Sequence, residues 1–318
     1  MNTQSMIERT PVTLVTGHLG SGKTTLIQKI LDKFKNKKIL VIENEFGEIG
    51  IDGEILSENQ NALVELNAGC ICCNIQSDLE DILQGYIVNK TDFDHIIIEA
   101  TGVANPSQIA RQFIAPSYLS QYFELISITC VIDAVNYLKH QELPEFELQV
   151  LTSDSFYLSK ISMFSEREDS GSLPELLLDE LGIHKESLVD DTDIEKWFNE
   201  KSFLKLKNDI PKKGGHTHYQ KIAIEFEGEF DPFTLENYLN VLFLQYMGRI
   251  IRSKGILYFR KTPNPFVFQG VFDSMVFEEK QINSEASENT LKINKFVFIG
   301  KELDKENIEA SLKNCLED

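Results

Sequence analysis

Hydrophobic residues follow two alternating patterns along the first half of the chain. Short apolar runs rich in β-branched residues predict buried strands, whereas apolar residues three and four positions apart predict helices. Because the two patterns alternate, this half is predicted to be an α/β domain with a mostly parallel sheet and helices on both faces. The predicted strands are 11–16, 39–42, 64–66, 93–99 and 127–132, and the predicted helices are 24–34, 77–86 and 108–113.

The pattern changes in the second half of the chain. Residues 165–210 are rich in charge and form a divergent segment, with amphipathic helices predicted at 173–181 and 192–203. The Pro-Lys-Lys-Gly-Gly run at 211–215 is typical of a linker. We therefore predict one domain over 1–210 and a smaller α+β domain over 216–318. The elements predicted in the smaller domain are strands at 219–226, 256–260, 266–272 and 296–299, helices at 232–246 and 304–315, and an exposed loop at 283–290.

Length and charge narrow the classes of protein to consider. The 318 residues suffice for one large domain or two modest ones. A net charge of −19, from 50 acidic and 31 basic residues, repels phosphate backbones, so no nucleic-acid partner is expected. The first ten residues lack an apolar signal region, and no apolar run approaches the length that crosses a bilayer. We expect a cytoplasmic protein with no membrane partner.

A glycine-rich motif lies between the first predicted strand and the first predicted helix. Its glycines allow backbone N–H groups to turn towards phosphate oxygens, which a chance glycine loop elsewhere in a chain would not do. Lys23 is expected to pair with the β- and γ-phosphates, and the Thr24 hydroxyl to complete the coordination of Mg²⁺. The predicted nucleotide-binding residues are Gly17, His18, Leu19, Gly20, Ser21, Gly22, Lys23, Thr24 and Thr25.

An acidic residue ends the isoleucine-rich strand at 93–99. Glu99 would act there on Mg²⁺ or its bound water, and Gly102 can approach the γ-phosphate. The alternative is a solvent-exposed acid at a strand end. With a phosphate-binding loop in the same predicted sheet, we take Lys23, Thr24 and Glu99 as the catalytic set.

Three of the five cysteines lie within four residues, at Cys70, Cys72 and Cys73. Without a secretory signal, such a cluster indicates metal or redox chemistry rather than a disulfide framework. Thiolates at this density suit Zn²⁺ or Cu(I), although a set of buried inert thiols is the alternative. Paired C-x-x-C motifs are absent, which favours an open metal site with a fourth ligand from elsewhere. The candidates for that ligand are Glu43, Glu45 and Glu48.

Other cysteines and histidines carry weaker signals. His216 and His218 could hold a metal, but alternating histidines at the start of a strand are more often surface residues. Cys130 falls in a predicted buried strand and Cys315 near the end of the last helix. Both are predicted to be packing residues.

Four motifs occur in order along the chain, at 17–26, 43–52, 69–73 and 99–106. Together they resemble the CobW-type metallochaperones, a branch of the P-loop GTPases related to HypB and UreG. The resemblance implies a P-loop GTPase domain, a CobW C-terminal domain, and GTP hydrolysis coupled to delivery of zinc or cobalt to a client metalloprotein. It also implies that the three clustered cysteines bind the transferred metal and that 43–52 acts as a switch. Further segments that resemble the family lie at 131–134, 251–255 and 298–300.

The guanine-reading segment departs from the family pattern. Ser159 and Lys160 align with the Asn-Lys of Asn-Lys-x-Asp and are predicted to contact the nucleotide. Ser162 stands where an aspartate accepts two hydrogen bonds from guanine, which leaves the choice between GTP and ATP open.

Two function classes therefore remain. One is a slow GTPase that carries metal to a client, and the other is a degenerate nucleotide-dependent metal sensor with little turnover or relaxed base specificity. A small-molecule kinase is disfavoured, since phosphoryl transfer has no use for three thiolates. The client, the metal and the formation of a homo-oligomer stay open.

Overall fold

The computed structural model describes residues 9–43, 62–65, 75–161, 163, 181, 183, 185–204, 218–280 and 291–316. The chain divides into two compact units, Met1–Phe203 and Leu204–Asp318. None of the helices in these ranges has the length and apolar character that a membrane-spanning segment requires.

The first unit alternates strands and helices along the chain. Its strands are β1 (Thr10–Thr16), β2 (Ile39–Glu43), β3 (Ala62–Glu65), β4 (His95–Glu99), β5 (Phe123–Asp133), β6 (Ser155–Ser159) and β7 (Leu188–Val189). Its helices are α1 (Lys23–Lys33), α2 (Ile75–Val88), α3 (Pro106–Ile114), α4 (Leu119–Tyr122), α5 (Tyr137–His140), α6 (Pro144–Thr152) and α7 (Ile194–Phe198).

These strands form one seven-stranded sheet in the order β3-β2-β4-β1-β5-β6-β7. Every neighbouring pair is parallel. The chain leaves central β1 towards β2 on one side and later returns to β5 on the other, so β1 lies at a topological switch point. Ligands of such sheets bind beyond the carboxyl ends of the strands at this point.

Helices cover both faces of the parallel sheet. Along β5, Val131 belongs to the core cluster that contains α1 and α7, whereas Cys130 and Ile132 belong to the cluster that contains α5 and α6. This division follows from the two-residue side-chain period of a strand. Apolar residues on both faces explain why the strand sequences are almost continuously hydrophobic. The predicted α/β fold is confirmed.

The second unit is an antiparallel sheet with two helices. Its five strands lie in the order β11-β10-β9-β12-β8, and all four pairings are antiparallel. Phenylalanines fill one continuous core between this sheet and the helices, with Phe230, Phe268 and Phe298 fully buried. The predicted α+β class is confirmed. The elements are β8 (Gln220–Glu227), α8 (Pro232–Gln245), β9 (Ile250–Leu257), β10 (Phe266–Val271), β11 (Ser274–Glu279), β12 (Ile293–Gly300) and α9 (Lys305–Lys313).

Two predicted elements differ from the structure. The helix predicted at 192–203 is wrong in length, because α7 ends at Phe198 and a 3-10 turn, Ser202–Leu204, follows. There the Ser202 hydroxyl bonds to Ser127 at 2.8 Å, which draws the chain back to the sheet. The strand predicted at 256–260 is wrong in its bounds, since β9 begins at Ile250 and ends at Leu257.

Several predictions fall on residues that the structure does not describe. They include most of the helix at 173–181, the linker at 211–215 and the loop at 283–290. The boundaries 1–210 and 216–318 therefore stay predictions. Elements that the sequence pattern did not indicate are α4, α5, α6, β6, β7 and β11.

Candidate functional site

The glycine-rich loop connects β1 to α1 at the carboxyl edge of the sheet. Gly17 passes so close to β5 that a Cβ would lie 2.3 Å from the Val131 carbonyl oxygen. Gly22 has φ 95° and caps the N-terminus of α1 in the left-handed conformation, which costs glycine little. The Ser21 N–H donates to the His18 carbonyl at 3.1 Å and closes the turn. The predicted loop thus forms where a helix N-terminus favours a bound anion.

Lys23 and Thr24 begin α1 and point to different parts of this edge. Lys23 is buried, and its Nζ donates to the carbonyls of Gly17 at 3.2 Å and His18 at 3.5 Å. Thr24 is exposed, and its hydroxyl donates to the Glu99 carboxylate at 3.1 and 3.2 Å. The structure therefore brings Thr24 and Glu99 of the predicted catalytic set into contact, and it places Lys23 in the adjoining phosphate loop.

The turn after β4 packs against the phosphate loop. A Cβ on Gly102 would lie 2.5 Å from the Leu19 backbone nitrogen, so only glycine fits without a shift. The Ala104 N–H donates to the Thr101 carbonyl at 3.0 Å, and α3 starts two residues later. Leu19, 63% exposed, and Val103, 48% exposed, flank this contact. Residues 101–104 are called the β4–α3 turn below.

A second set of contacts fixes the loop from the β5 and β6 side. Lys160 Nζ donates to the Gly20 carbonyl at 2.8 Å and to Asp133 at 2.6 Å, and the Ser159 hydroxyl donates to the Ser21 carbonyl at 2.5 Å. Burial by itself raises the pKa of Asp133, but hydrogen bonds from Asn136 and Lys160 lower this pKa below its usual value. Asp133 thus stays ionised and holds the lysine on the loop. Lys160 has φ 60°, an uncommon conformation outside glycine that often marks functional sites.

His18 makes a further tie from the loop to α5. Its ring centroid lies 4.1 Å from that of His140, with the rings tilted by 42°. Within the described part of the chain, neither Nδ1 atom has a hydrogen-bond partner. Burial, together with the neighbouring His18 ring, lowers the pKa of His140. The close packing of the two rings thus favours an uncharged His140.

The predicted metal site is only partly described. Glu43 ends β2 and lies directly beside Glu99 in the β2–β4 register. Cys70, Cys72 and Cys73 lie outside the described residues, as do Glu45, Glu48, Ser162 and His216. Among the residues that are described, no three acidic, histidine or cysteine side chains come together as a metal-binding group.

The remaining cysteines and histidine occupy ordinary positions. Cys130 and Cys315 are both buried, and burial raises the pKa of the Cys130 thiol to about 12. That thiol stays protonated and acts as a packing group, as predicted. His218 is exposed.

Sequence reasoning did not assign a role to three residues of this edge. Asp133 was part of a motif, but its pairing with Lys160 is visible only after folding. His140 and Gln149 lie in α5 and α6, two helices that the hydrophobic pattern did not indicate. Only the spacing of Gln149 before the guanine-reading segment could have drawn attention to it.

Comparison with known proteins adds to this geometry. Residues 11–180 match the CobW/HypB/UreG nucleotide-binding domain, and residues 219–316 match the cobalamin synthesis protein cobW C-terminal domain. The chain is 30% identical over 320 residues to the zinc chaperone YjiA of Escherichia coli, covering 94% of this chain and 96% of that protein. It is 39% identical over 138 residues to the zinc chaperone CobW of Pseudomonas aeruginosa, covering 41% of this chain and 35% of that one.

A solved structure has the same fold. The crystal structure of Zn(II)-bound YjiA GTPase from E. coli superimposes with a TM-score of 0.69 at 24% identity, covering 98% of this chain and 100% of that one. The two domain matches confirm the resemblance inferred from the four motifs.

Proposed function

Because this chain belongs to the CobW/HypB/UreG family of P-loop GTPases, we propose that it is a GTP-hydrolysing metallochaperone. It binds zinc, or a similar divalent metal, through Cys70, Cys72 and Cys73 and passes it to a client protein. The observation that carries the proposal is that the phosphate loop, the Thr24–Glu99 hydrogen bond and the Lys160–Asp133 ion pair all lie at one edge of the sheet.

The phosphate loop supplies the binding half of the reaction. Lys23 is buried at the N-terminus of α1, where its charge would pair with the β- and γ-phosphates. Its bonds to the carbonyls of Gly17 and His18 hold the amine within the loop. Ser159 and Lys160 fix the loop backbone from the side and would lie beside the nucleotide.

Thr24 and Glu99 fit a magnesium ion, because Mg²⁺ prefers oxygen ligands and keeps several waters. Their oxygens lie 3.1 Å apart at the edge where the phosphates would bind. The Thr24 hydroxyl would be a ligand, and Glu99 would hold a water of the metal's shell. The ion supplies charge neutralisation at the β- and γ-phosphates.

The proposed zinc binding is supported by the cysteine motif and by similarity to a zinc chaperone. Three cysteines in four residues offer soft ligands, and 30% identity over nearly the whole chain links the protein to a zinc chaperone. Glu43 could supply a fourth ligand. Since it lies in register with Glu99, a metal bound there would be one strand away from the Mg²⁺ ligands.

The second candidate function is a nucleotide-dependent metal sensor with little turnover. The observation that favours it is Ser162, which cannot accept two hydrogen bonds from guanine as an aspartate does. The protein would then distinguish GTP from ATP less strictly, which favours a sensor over a dedicated GTPase.

One titration separates the two candidates. Zn²⁺ affinity is measured without nucleotide, with β,γ-imido-GTP and with GDP, and phosphate release is measured from GTP and from ATP. The chaperone proposal expects zinc affinity to differ about tenfold between nucleotide states, which corresponds to about 1.4 kcal/mol of coupling. Equal affinities in all three states would rule it out. Absence of phosphate release from both nucleotides would favour the sensor.

Matched variants locate the two binding sites. Lys23→Ala should abolish nucleotide binding, whereas Lys33→Ala, an exposed lysine on the same helix, should not. Replacing Cys72 and Cys73 by serine should lower zinc affinity and leave nucleotide affinity unchanged. Loss of both affinities in the serine variant would count against separate sites.

A further inference from the structure

Gln149 is a fully buried side chain that the proposed function does not use. It lies on α6, and its Nε2 donates to the Gly102 carbonyl at 3.0 Å and to the Ala104 carbonyl at 3.5 Å. Since both partners are acceptors, only the NH₂ end of the side-chain amide can face the β4–α3 turn. The contact spans 47 positions in sequence and ties that turn to a helix on the far side of β1.

The side-chain amide is only half satisfied in this arrangement. In the described part of the chain, the buried Gln149 Oε1 has no hydrogen-bond partner. A buried unpaired acceptor costs about 1–3 kcal/mol, and the glutamine carries this cost at Oε1 while its Nε2 satisfies the carbonyl of the buried Gly102. The bond to the turn is therefore the feature that a glutamine uniquely supplies at this position.

The helix that carries Gln149 is firmly held. Phe146 and Val150 of α6 are buried against β5 and β6 in one core cluster. At its C-terminal end the Thr152 hydroxyl donates to the Leu148 carbonyl at 2.7 Å, and the Ser153 hydroxyl donates to the Gln149 carbonyl at 2.7 Å. Such support lets one side chain define the position of its partner.

The bond fixes the orientation of the backbone at Gly102. Gly102 has no Cβ, so sterics leave its backbone dihedrals loosely limited. Holding its carbonyl fixes the peptide between Gly102 and Val103, and in a trans peptide the Val103 N–H then points away from α6. Gly102 also touches Leu19 of the phosphate loop. The orientation of the turn against the loop thus depends on α6.

We propose that Gln149 is a positioning residue for recognition of the γ-phosphate. It sets the β4–α3 turn so that the backbone beside Gly102 contacts a triphosphate but not a diphosphate, whose β-phosphate is held by the loop alone. The inference rests on the proposed nucleotide function and adds to it a determinant of triphosphate over diphosphate selectivity.

The test compares Gln149→Met with Gln112→Met in the full-length protein. Gln112 lies on α3, its side-chain amide atoms are also buried, and no hydrogen bond ties that side chain to the turn among the described contacts. Dissociation constants are measured with Mg²⁺ for GDP and for β,γ-imido-GTP. Gln149→Met should raise the dissociation constant of the analogue about tenfold and that of GDP less than twofold. Gln112→Met should leave both dissociation constants unchanged.

A second variant tests the hydrogen bond itself. In Gln149→Glu, burial and the two facing carbonyl oxygens should raise the pKa of the new carboxyl well above its ordinary value of about 4.3. The protonated form, present at pH 6, can donate to Gly102, whereas the carboxylate that forms as pH rises would repel the turn. Selectivity for the analogue over GDP should therefore recover at pH 6, relative to the unmodified protein at each pH. This readout does not require the methionine variant to fold.

The binding measurements separate the positioning role of Gln149 from the proposed nucleotide function. If the unmodified protein binds both nucleotides but Gln149→Met weakens both equally, or neither, the positioning role is overturned while the nucleotide function stands. Failure of Gln149→Glu to recover selectivity at pH 6 also overturns it. If the unmodified protein binds neither nucleotide, the proposed function falls and the inference with it.

Discussion

His95 starts β4 and is buried among the apolar side chains of the sheet. Its ring stacks on Phe198 with centroids 3.8 Å apart, and its Nε2 shares a hydrogen bond of 2.9 Å with the Thr13 hydroxyl. Burial and, to a smaller degree, the positive charge of Lys37 together lower its pKa from 6.5 to about 3. This histidine is neutral in the folded protein over the whole range in which an exposed one titrates.

The buried histidine predicts a loss of stability in mild acid. Below pH 6.5 the unfolded chain binds a proton at His95 that the folded chain does not, so the free energy of unfolding falls as pH drops towards 3. The loss attributable to His95 between pH 7.5 and pH 5 is about 2 kcal/mol. Urea unfolding at both pH values measures it.

A substitution of the exposed His218 serves as the control for a substitution of His95. His95→Gln should reduce the pH-dependent loss, whereas His218→Gln, which changes an exposed residue, should leave it as it is. A pH dependence that persists unchanged in His95→Gln would show that other groups cause it.

Replacement of glycine by alanine is expected to have different effects at Gly102 and at Gly85. A Cβ on Gly102 would lie 2.5 Å from the Leu19 backbone nitrogen, so Gly102→Ala must displace the phosphate loop and should weaken nucleotide binding about tenfold. Gly85→Ala adds its methyl to α2 with nothing within 4 Å. It should raise the free energy of unfolding by about 0.5–1 kcal/mol. Nucleotide titration and urea unfolding of both variants check this, and equal affinities would contradict the proposed packing.

At the scale of elements, α3 follows the β4–α3 turn and needs its own start signal. The Asn105 side chain accepts the Ser107 N–H at 3.0 Å, and Pro106 occupies the first helical position. Both features are typical of helix N-termini, since the first N–H groups of a helix have no partner within it. The helix therefore begins at a fixed point beside the candidate site.

Removing this cap should weaken the element without touching the nucleotide. Asn105→Ala is expected to lower the free energy of unfolding by about 1 kcal/mol, and Asn105→Asp, which keeps the acceptor, by only a few tenths. Chemical denaturation of the two variants provides the measurement. Equal losses in both would mean that the side-chain hydrogen bond does not stabilise α3.

Elements differ in how strongly their own sequence specifies them. Strand β4 and helix α1 have clear apolar periods and were predicted within two residues of their bounds. Helix α6 buries the polar residues Glu147 and Gln149 beside Phe146 and Val150, so its buried side is not an apolar stripe. Its hydrogen bond to the β4–α3 turn makes a buried glutamine tolerable, and that partner is remote in sequence.

At the scale of the whole molecule, the net charge of −19 opposes compaction. Screening by salt should therefore stabilise the fold, since the Debye length falls to about 10 Å at 0.1 M ionic strength. Raising KCl from about 20 mM to about 300 mM is expected to raise the melting temperature by about 2–4 °C, which corresponds to about 1 kcal/mol. Differential scanning calorimetry measures the shift.

A change of pH serves as the control for this effect. Near the isoelectric point, pI ≈ 4.8, the net charge is small and the same salt step should leave the melting temperature almost unchanged. A salt effect of equal size at both pH values would point to an origin other than charge repulsion.

Features that depend on residues close together in the chain were predictable from the amino-acid sequence. Alternating periods predicted the parallel sheet, and a fixed spacing of glycines, Lys23 and Thr24 predicted the phosphate loop between β1 and α1. The four motifs in order predicted the family. Each strand, helix or motif behind these predictions is a segment of about ten residues, within which side-chain period and backbone freedom act directly.

Contacts between residues remote in sequence depend on how the strands pair in the folded protein. The order of the strands brings Glu99 to Thr24, sets Glu43 in register with Glu99, and gives Lys160 both Asp133 and Gly20 as partners. It also carries Gln149 to the carbonyl of Gly102. A local pattern fixes the strands but not their order in the sheet. The site therefore exists only after the strands have paired.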